Sequence, residues 1–355
     1  MIDKRLRQAR AAAGLSLREL ADRAQISAMA ISKYERGLAT PSSGVLLRLG
    51  KALEVPVEYF FRPAELELHE VEYRKHKKLP KKVQAKIEGD VLEQVERFFE
   101  LTDLLPTGPI SRYQGPRLTR DRIDSYNDIE DIAVDVRSAW NLGINPIPDL
   151  TDTLEERGIL VLQAKALHEK NFDGLAATVN DVPVIVVGLG WPGDRQRFTL
   201  AHELGHLVMK GRVGPDVDEE LAAHRFAGAF LAPRSEVLKE LGEHRSWLEL
   251  AELNVLKKAY GLSMGAWLHR ASDLRVLSEA RYKEMYKYFA VRGWRTIEPG
   301  EPYPREEPKL FSQLVFRALA EDLISESKGA ELLRVSPKRF AEMRNLKHAG
   351  NTGHK

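Results

Sequence analysis

Two histidines four residues apart, in the segment His202-Glu203-Leu204-Gly205-His206, constrain this chain more than any other feature of its sequence. The pattern from about Arg195 predicts a helix, so both imidazoles lie on one face and can share a metal ion. Glu203 then points about 100° away, where it reaches a metal-bound water but not the metal. This is the geometry of zinc hydrolysis, in which the metal lowers the pKa of water and the carboxylate transfers its proton.

The chain contains no cysteine, so a zinc ion must be held by histidine and carboxylate side chains. A catalytic zinc needs a third protein ligand and leaves its fourth position to water. The predicted helix 218–233 supplies carboxylates. Glu220 has small neighbours at helical spacing, Ala223 and Ala227, which suits an inward-facing acid. The alternative is that Glu219 and Glu220 are solvated residues of a first helical turn, favoured by the helix dipole. Spacing alone leaves both interpretations open.

Bulk composition predicts a soluble protein of two or three domains, with 43% hydrophobic and 30% charged residues. The charged start and the absence of a long apolar run predict a cytoplasmic protein without a membrane segment. The formal net charge is only +2, so any affinity for nucleic acid must come from local patches. Residues 1–62 form such a patch, since they carry eleven Lys/Arg against six Asp/Glu.

Residues 1–62 show the pattern of five short helices, in which Ser16 caps the second and Ser27 the third. This domain resembles the Xre/phage-repressor helix-turn-helix family. The resemblance rests on Gly14-Leu15-Ser16, Leu20-Ala21, Ile26-Ser27, Ile31-Ser32-Lys33-Tyr34-Glu35-Arg36-Gly37 and Pro41-Ser42. It implies that the third helix enters the major groove of an operator in double-stranded DNA, with dimers reading paired half-sites.

The resemblance also implies which side chains contact DNA. Those expected to face bases are Ser27, Met29, Ser32 and Lys33, and those expected to contact the backbone are Arg18 and Arg36. Relatives often place glutamine where this chain has Leu17 and Ala28, so thymine methyl groups or DNA shape are expected to carry the specificity. The alternative is a repressor-like bundle that has become a protein-docking module.

Residues 63–126 are predicted to be a helical connector and loop, with a long amphipathic helix from about Val83 to Leu105. The basic run Arg74 to Lys82 precedes that helix, and it is read as a solvated surface or an additional phosphate contact. Prolines and glycines between 106 and 116 mark a linker. No separate domain is expected here.

Residues 127–275 show a mixed α and β pattern, and residues 276–355 form a helical region that is a candidate for partner binding. The runs Leu175–Val179 and Val184–Val187, separated by Asn180-Asp181, predict a hairpin in a small antiparallel sheet. Segments 253–264 and 328–336 each have a helix-turn-helix pattern. Each is interpreted as a second nucleic-acid contact or, more commonly for such hairpins, as packing for the catalytic domain. The predicted fold class is α+β, mainly helical.

The central region resembles the ImmA/IrrE family of metallopeptidases. The resemblance rests on Phe172-Asp173-Gly174, the strand 184–187, the segment 197–207 and the segment from Glu220 to Pro233. It implies a gluzincin-like zinc site with ligands His202, His206 and Glu220 and with Glu203 as general base. The family usually has asparagine four residues after the ligand glutamate, where this chain has His224. His224 is interpreted as orienting a ligand, and the alternatives are a fourth ligand or a partly buried histidine.

The sequence therefore supports two hypotheses. The first is a DNA-binding regulator with zinc-dependent endopeptidase activity on a protein substrate, such as a repressor-type helix-turn-helix protein, a co-encoded toxin or the chain itself. The second is a non-proteolytic repressor or antitoxin whose metal site is structural or vestigial. Glu203 favours the first hypothesis, because a purely structural site has no need of that carboxylate.

Overall fold

A computed structural model of the protein describes residues 2–61, 69–73, 81–106, 112–164 and 172–346. Most of the basic run Arg74 to Lys82, and part of the predicted linker, lie outside these ranges. The helices are α1 (Ile2–Ala12), α2 (Leu17–Ala24), α3 (Ala28–Glu35), α4 (Ser43–Leu53), α5 (Lys81–Leu104), α6 (Asp128–Ala139), α7 (Leu150–Glu156), α8 (Gly193–Met209), α9 (Glu219–Leu231), α10 (Arg234–Leu241), α11 (Leu250–Tyr260), α12 (Met264–Asp273), α13 (Glu279–Val291), α14 (Leu310–Ala320), α15 (Glu326–Leu333) and α16 (Pro337–Arg344). The strands are β1 (His69–Tyr73), β2 (Leu160–Ala164), β3 (Gly174–Val179) and β4 (Val182–Gly188). Within the described ranges, no helix has both the length and the apolar character needed to cross a bilayer.

The N-terminal module has the predicted five helical segments, and the fifth is a 3₁₀ turn, Val57–Phe61. Ser16 caps α2 in a capping box with Glu19, and Ser27 caps α3 by accepting a hydrogen bond from the backbone N–H of Ala30. Both caps satisfy N–H groups that a helix start leaves without a partner. The module encloses its own apolar core, whose fully buried side chains are Leu6, Leu20, Ile31, Leu49 and Phe60.

Helix α5 lies in the core of the molecule, although the sequence predicted only a connector. On one side it contacts α1 so closely that a side chain at Gly89 would meet Ala12 at 2.7 Å. Buried Arg5 forms an ion pair with Glu96 at the same contact. The opposite side buries apolar residues against the sheet and against α14–α16, among them Ile87, Val91, Val95 and Phe98. The helix therefore joins the N-terminal module to the rest of the chain.

The four strands form one mixed sheet in the order β1-β3-β4-β2. Strands β3 and β4 form the predicted hairpin, and Asn180 and Asp181 adopt the positive φ angles (47° and 63°) of a tight hairpin turn. Strand β2 pairs in parallel with β4, so the sheet is not purely antiparallel. Strand β1, which the sequence did not predict, pairs antiparallel with β3.

The sheet separates two apolar cores because alternate residues of a strand point to opposite faces. Val161, Ile185 and Val187 face the main core, which contains α6–α13. Residues on the other face belong to the core that contains α5 and α14–α16. Helix α8, which carries the histidine pair, therefore lies across the sheet from α5. In the main core, buried residues of the α11–α12 pair show that the helix-turn-helix pattern at 253–264 serves packing.

The start of α8 is held by the segment 298–309. Glu306 accepts hydrogen bonds from the backbone N–H groups of Leu150 and Thr151 and forms an ion pair with buried Arg197 of α8. Buried Lys257 lies 3.0 Å from carboxylate oxygens of both Asp194 and Glu298. Since each buried charge has a partner, removing one would leave the other uncompensated. These contacts fix the position of the helix that carries the site.

Buried Glu155 makes stability depend on pH. Burial raises the pKa of its carboxyl to about 7, although the backbone N–H groups of Lys309 and Leu310 donate to it. A pKa raised by folding stabilises the protein at low pH, and this stabilisation is lost as the pH rises through 7. In the parent protein, Glu155 should lower the free energy of unfolding by up to about 3 kcal/mol between pH 4.5 and pH 8, and we expect this decrease to be absent in Glu155→Gln. Urea titrations at several pH values measure it, with the exposed neighbour Glu156→Gln as control. Equal pH profiles for the two variants would contradict the assignment.

Candidate metal centre and helix-turn-helix module

The candidate metal centre lies where α8 crosses α9. The crossing is close because Gly205 of α8 has no side chain. A Cβ there would lie 2.9 Å from the ring of Phe226, which is buried in α9. The glycine between the two histidines thus brings the helices near enough for side chains of α9 to reach the imidazoles of α8.

Three side chains converge at this crossing. The Nε2 atoms of His202 and His206 are 3.0 Å apart, and carboxylate oxygens of Glu220 lie 3.6 Å and 3.4 Å from them. In a tetrahedral zinc site with ligand distances of about 2.0–2.1 Å, neighbouring donor atoms lie roughly 3.3–3.4 Å apart. Two imidazole nitrogens and one carboxylate at these separations fit a zinc ion. Among the described residues, they also form the group of potential metal ligands that meets within 4.8 Å.

Burial changes sharply across this group. His202 is fully buried, the side chain of His206 is 15% exposed and that of Glu220 is 56% exposed. The two histidines are therefore held by the core, and the glutamate lies on the open side. Glu219, the other acid of the first turn of α9, is exposed and does not belong to the group. The crossing thus places Glu220, which spacing left as either an inward-facing or a solvated acid, beside the histidines.

Glu203 is buried beneath the first residue of β3. Its Oε1 atom lies 3.9 Å from the position that a Cβ of Gly174 would occupy. A side chain at Gly174 would also collide with Thr199 of α8, at 2.5 Å. Beside this contact, Arg195 forms an ion pair of 2.7 Å with the buried carboxylate of Asp173. The segment Phe172-Asp173-Gly174 thus brings the start of β3 directly over the carboxylate of the motif.

His224 of α9 packs against the site as an aromatic neighbour. Its ring centroid lies 4.7 Å from that of His202, edge to face, and 5.5 Å from that of Phe198. It is half-buried and is not among the three converging ligands. This geometry supports the interpretation that His224 orients His202.

The orientation of α9 depends on a buried ionic network that the sequence analysis missed. Arg270 of α12 donates two hydrogen bonds of 2.6 Å to Glu130 of α6, and Arg225 of α9 donates a third of 2.7 Å. Burial alone would raise the pKa of the Glu130 carboxyl, but the two guanidinium groups outweigh it and lower the pKa. No local pattern signals a network whose members are 95 and 140 residues apart.

The structure places the six predicted DNA contacts on or beside α2 and α3 of the N-terminal module. Five of them are exposed and Ser32 is half-buried, so this surface is open. Met29 is 69% exposed, which is unusual for a large apolar side chain and suits contact with a thymine methyl group. The exposed residues of the set are Arg18, Ser27, Met29, Lys33 and Arg36.

Two segments of the chain match models of known protein families. Residues 6–60 match the helix-turn-helix family model, and residues 154–272 match the model of the IrrE N-terminal-like domain, a peptidase family. A curated relative, an uncharacterized transcriptional regulator in the ATPase CF(0) region of Rhodospirillum rubrum, is 42% identical over 64 residues. The match covers 18% of this chain and 59% of the relative, so the chain spans less than two thirds of that protein. No solved structure matches the chain.

Both matched segments coincide with a site described above, the first with the exposed surface of α2 and α3 and the second with the crossing of α8 and α9. The chain therefore joins an N-terminal DNA-binding helix-turn-helix domain of the Xre type to an IrrE N-terminal-like domain of the peptidase family.

Proposed function

We propose that this protein is a DNA-bound regulator whose second domain is a zinc endopeptidase that cleaves a regulatory protein. The observation that carries the proposal is the convergence of three side chains, with His202 Nε2 and His206 Nε2 3.0 Å apart and the two carboxylate oxygens of Glu220 3.6 Å and 3.4 Å from them. Three protein donors leave one coordination position of a tetrahedral metal for solvent or substrate, as in catalytic zinc sites.

The residues of the chain would divide the chemistry as follows. His202, His206 and Glu220 would hold the zinc ion. When bound, zinc supplies Lewis acidity that lowers the pKa of water and polarises a peptide carbonyl. Glu203, adjacent to His202 but turned away from the ligand triangle, would accept a proton from the attacking water. It would then deliver that proton to the leaving amine.

His224 would support this chemistry without touching the reacting atoms. Its edge-to-face contact limits rotation of the His202 ring, and a fixed ring keeps Nε2 directed at the metal position. The burial of His202 and Glu203 acts in the same sense, because close packing restricts both side chains to few rotamers.

The DNA-binding domain would bring this activity to an operator. Helix α3 would enter the major groove, with Ser27, Met29, Ser32 and Lys33 toward the bases. A repressor-type protein bound at the same locus, or a co-encoded toxin, would then be the substrate, since tethering raises its effective concentration near the peptidase domain. A homodimer would fit paired half-sites. The second candidate function is a non-proteolytic repressor or antitoxin, and the exposure of Glu220, usual for a solvated acid, favours it.

Substituting the third ligand tests the metal assignment. We expect Glu220→Ala to weaken zinc binding about a hundredfold or more, because only two imidazoles would remain. The measurement is zinc content after dialysis, together with competition against a chelator of known affinity. Glu219→Ala is the matched control, since it removes an exposed acid from the same helical turn, and it should bind zinc like the parent. Equal zinc affinity in the two variants would show that Glu220 is not a ligand.

A further inference from the structure

A second helix-turn-helix lies at the other end of the described chain. In α15–α16, Ser325 caps the first helix, Arg334 adopts a left-handed conformation in the turn and Ser336 caps the second helix. In the N-terminal module the same three roles fall to Ser16, Gln25 and Ser27. Each residue of the first set lies 309 positions before its counterpart. The spacing from the first cap to the left-handed residue, and from that residue to the second cap, is therefore the same in both motifs.

The backbone of the two turns agrees in detail. Gln25 has φ and ψ angles of 53° and 48°, and Arg334 has 54° and 43°. The next residue donates to the carbonyl five positions back in both cases, with Ile26 to Ala21 at 3.1 Å and Val335 to Ala330 at 3.0 Å. The same left-handed helix end occurs elsewhere in the chain, for example at Glu54, so the correspondence rests on the equal spacing of both caps and the turn together.

The apolar core follows the same offset. Five buried apolar positions of the N-terminal module have buried counterparts 309 residues later, and the preceding helix α14 takes the place of α1. The pairs are Leu6 and Val315, Ala9 and Ala318, Leu15 and Ile324, Ala21 and Ala330, and Ile31 and Phe340. Most pairs differ in residue type, which explains why the repeat is not evident from the letters of the sequence.

Both modules use their first helix to pack on α5. Helix α1 contacts it at Gly89, and the Phe311 ring of α14 lies 6.3 Å from that of Phe98. Two ion pairs also join α15 and the turn after it to α5, between Lys328 and Glu100 and between Arg334 and Glu93. Helix α16 corresponds to the DNA-facing helix α3, and Ser336, Pro337, Lys338 and Arg339 at its start are exposed. The packing on α5 thus leaves this face of α16 open.

The exposed start of α16 is positively charged. Described residues 337–346 carry Lys338, Arg339 and Arg344 against one acid, Glu342, and Arg344 forms an ion pair with Glu326 of α15. Lys338 is the counterpart of Met29, the exposed residue at the DNA-facing surface of the first module. Glu342 stands where the first module has Lys33, and it lies 3.4 Å from Arg339. The exposed cations Lys338 and Arg339 thus lie in the first turn of α16, whereas Lys33 lies in the last turn of α3. The first turn is a position suited to phosphate contact.

We propose that α14–α16 is a second DNA-binding module of this chain, which contacts the phosphates of duplex DNA through Lys338 and Arg339. The contribution of this module is affinity rather than base recognition. Phosphate contacts release counterions, so each one steepens the dependence of binding on salt.

The test measures binding of the full-length protein to a short duplex of random sequence over a range of salt concentrations. We expect Lys338→Ala/Arg339→Ala to lower the affinity on the order of tenfold and to reduce the slope of log K against log salt by about 2. The charge-preserving variant Lys338→Arg/Arg339→Lys should bind like the parent. The matched control is Lys283→Ala/Lys287→Ala, which removes two exposed cations from α13 and should leave the slope unchanged.

Lys338 and Arg339 are exposed, so their substitution should leave the fold intact. Circular dichroism distinguishes a loss of DNA contacts from a loss of helix. An affinity and a salt slope equal to those of the parent would overturn the proposal and leave α14–α16 as a protein-binding or packing module. An equal loss in the α13 control would also overturn it, because the effect would then be one of net charge.

Discussion

Glu203→Gln is expected to abolish proteolysis while leaving zinc binding and DNA binding intact. Glutamine has the shape of glutamate but cannot accept the proton of water, and loss of a general base lowers rates by about 10² to 10⁴. Glu203 is buried beside Gly174 and lies outside the group of ligands, so the metal should remain bound. The measurement is cleavage of a repressor-type helix-turn-helix protein, with zinc added and the products identified by mass spectrometry.

The control for this experiment is Glu219→Gln, which makes the same chemical change at an exposed acid on α9. It should cleave at the parent rate. If Glu203→Gln also cleaves at the parent rate, the endopeptidase proposal fails. Zinc content measured on the same samples separates loss of chemistry from loss of metal.

The largest expected effect on stability comes from Glu130→Ala. The substitution leaves Arg270, only 1% exposed, without the carboxylate that accepts two of its hydrogen bonds. Breaking a buried ion pair in this way costs about 3–5 kcal/mol. Arg225 loses a contact as well, so α9 should become less ordered and zinc affinity should fall with stability. The urea midpoint and the zinc affinity measure the two effects.

Asp131→Ala is the matched control, since it removes the adjacent acid, whose side chain is 55% exposed and pairs with Arg120 on the surface. A surface pair contributes about 0–1 kcal/mol, so the midpoint should change little. Similar midpoints for Glu130→Ala and Asp131→Ala would show that the network does not hold the helices together.

Local patterns predicted the features that depend on one helix or one turn. The spacing of His202 and His206 placed both rings on one face, and Ser16 and Ser27 marked the starts of α2 and α3. Asn180-Asp181 marked the hairpin turn between β3 and β4. Such features are predictable because helix geometry, caps and tight turns are determined by residues a few positions apart.

Local sequence patterns could not predict the contacts between segments that are distant in the chain. Parallel pairing of β2 with β4 and the central role of α5 depend on how the chain packs. The network of Glu130 joins helices far apart in sequence. The repeat of the N-terminal module in α14–α16 survives in caps, turn angles and burial, and most of its residues differ.

The sequence alone predicts a metal-binding histidine pair with an adjacent carboxylate, and a repressor-like module before it. Only the tertiary structure places Glu220 beside the histidines, because its position depends on the close crossing of α8 and α9 at Gly205. The reason is physical, since spacing along α9 does not determine which side of that helix packs toward the histidines.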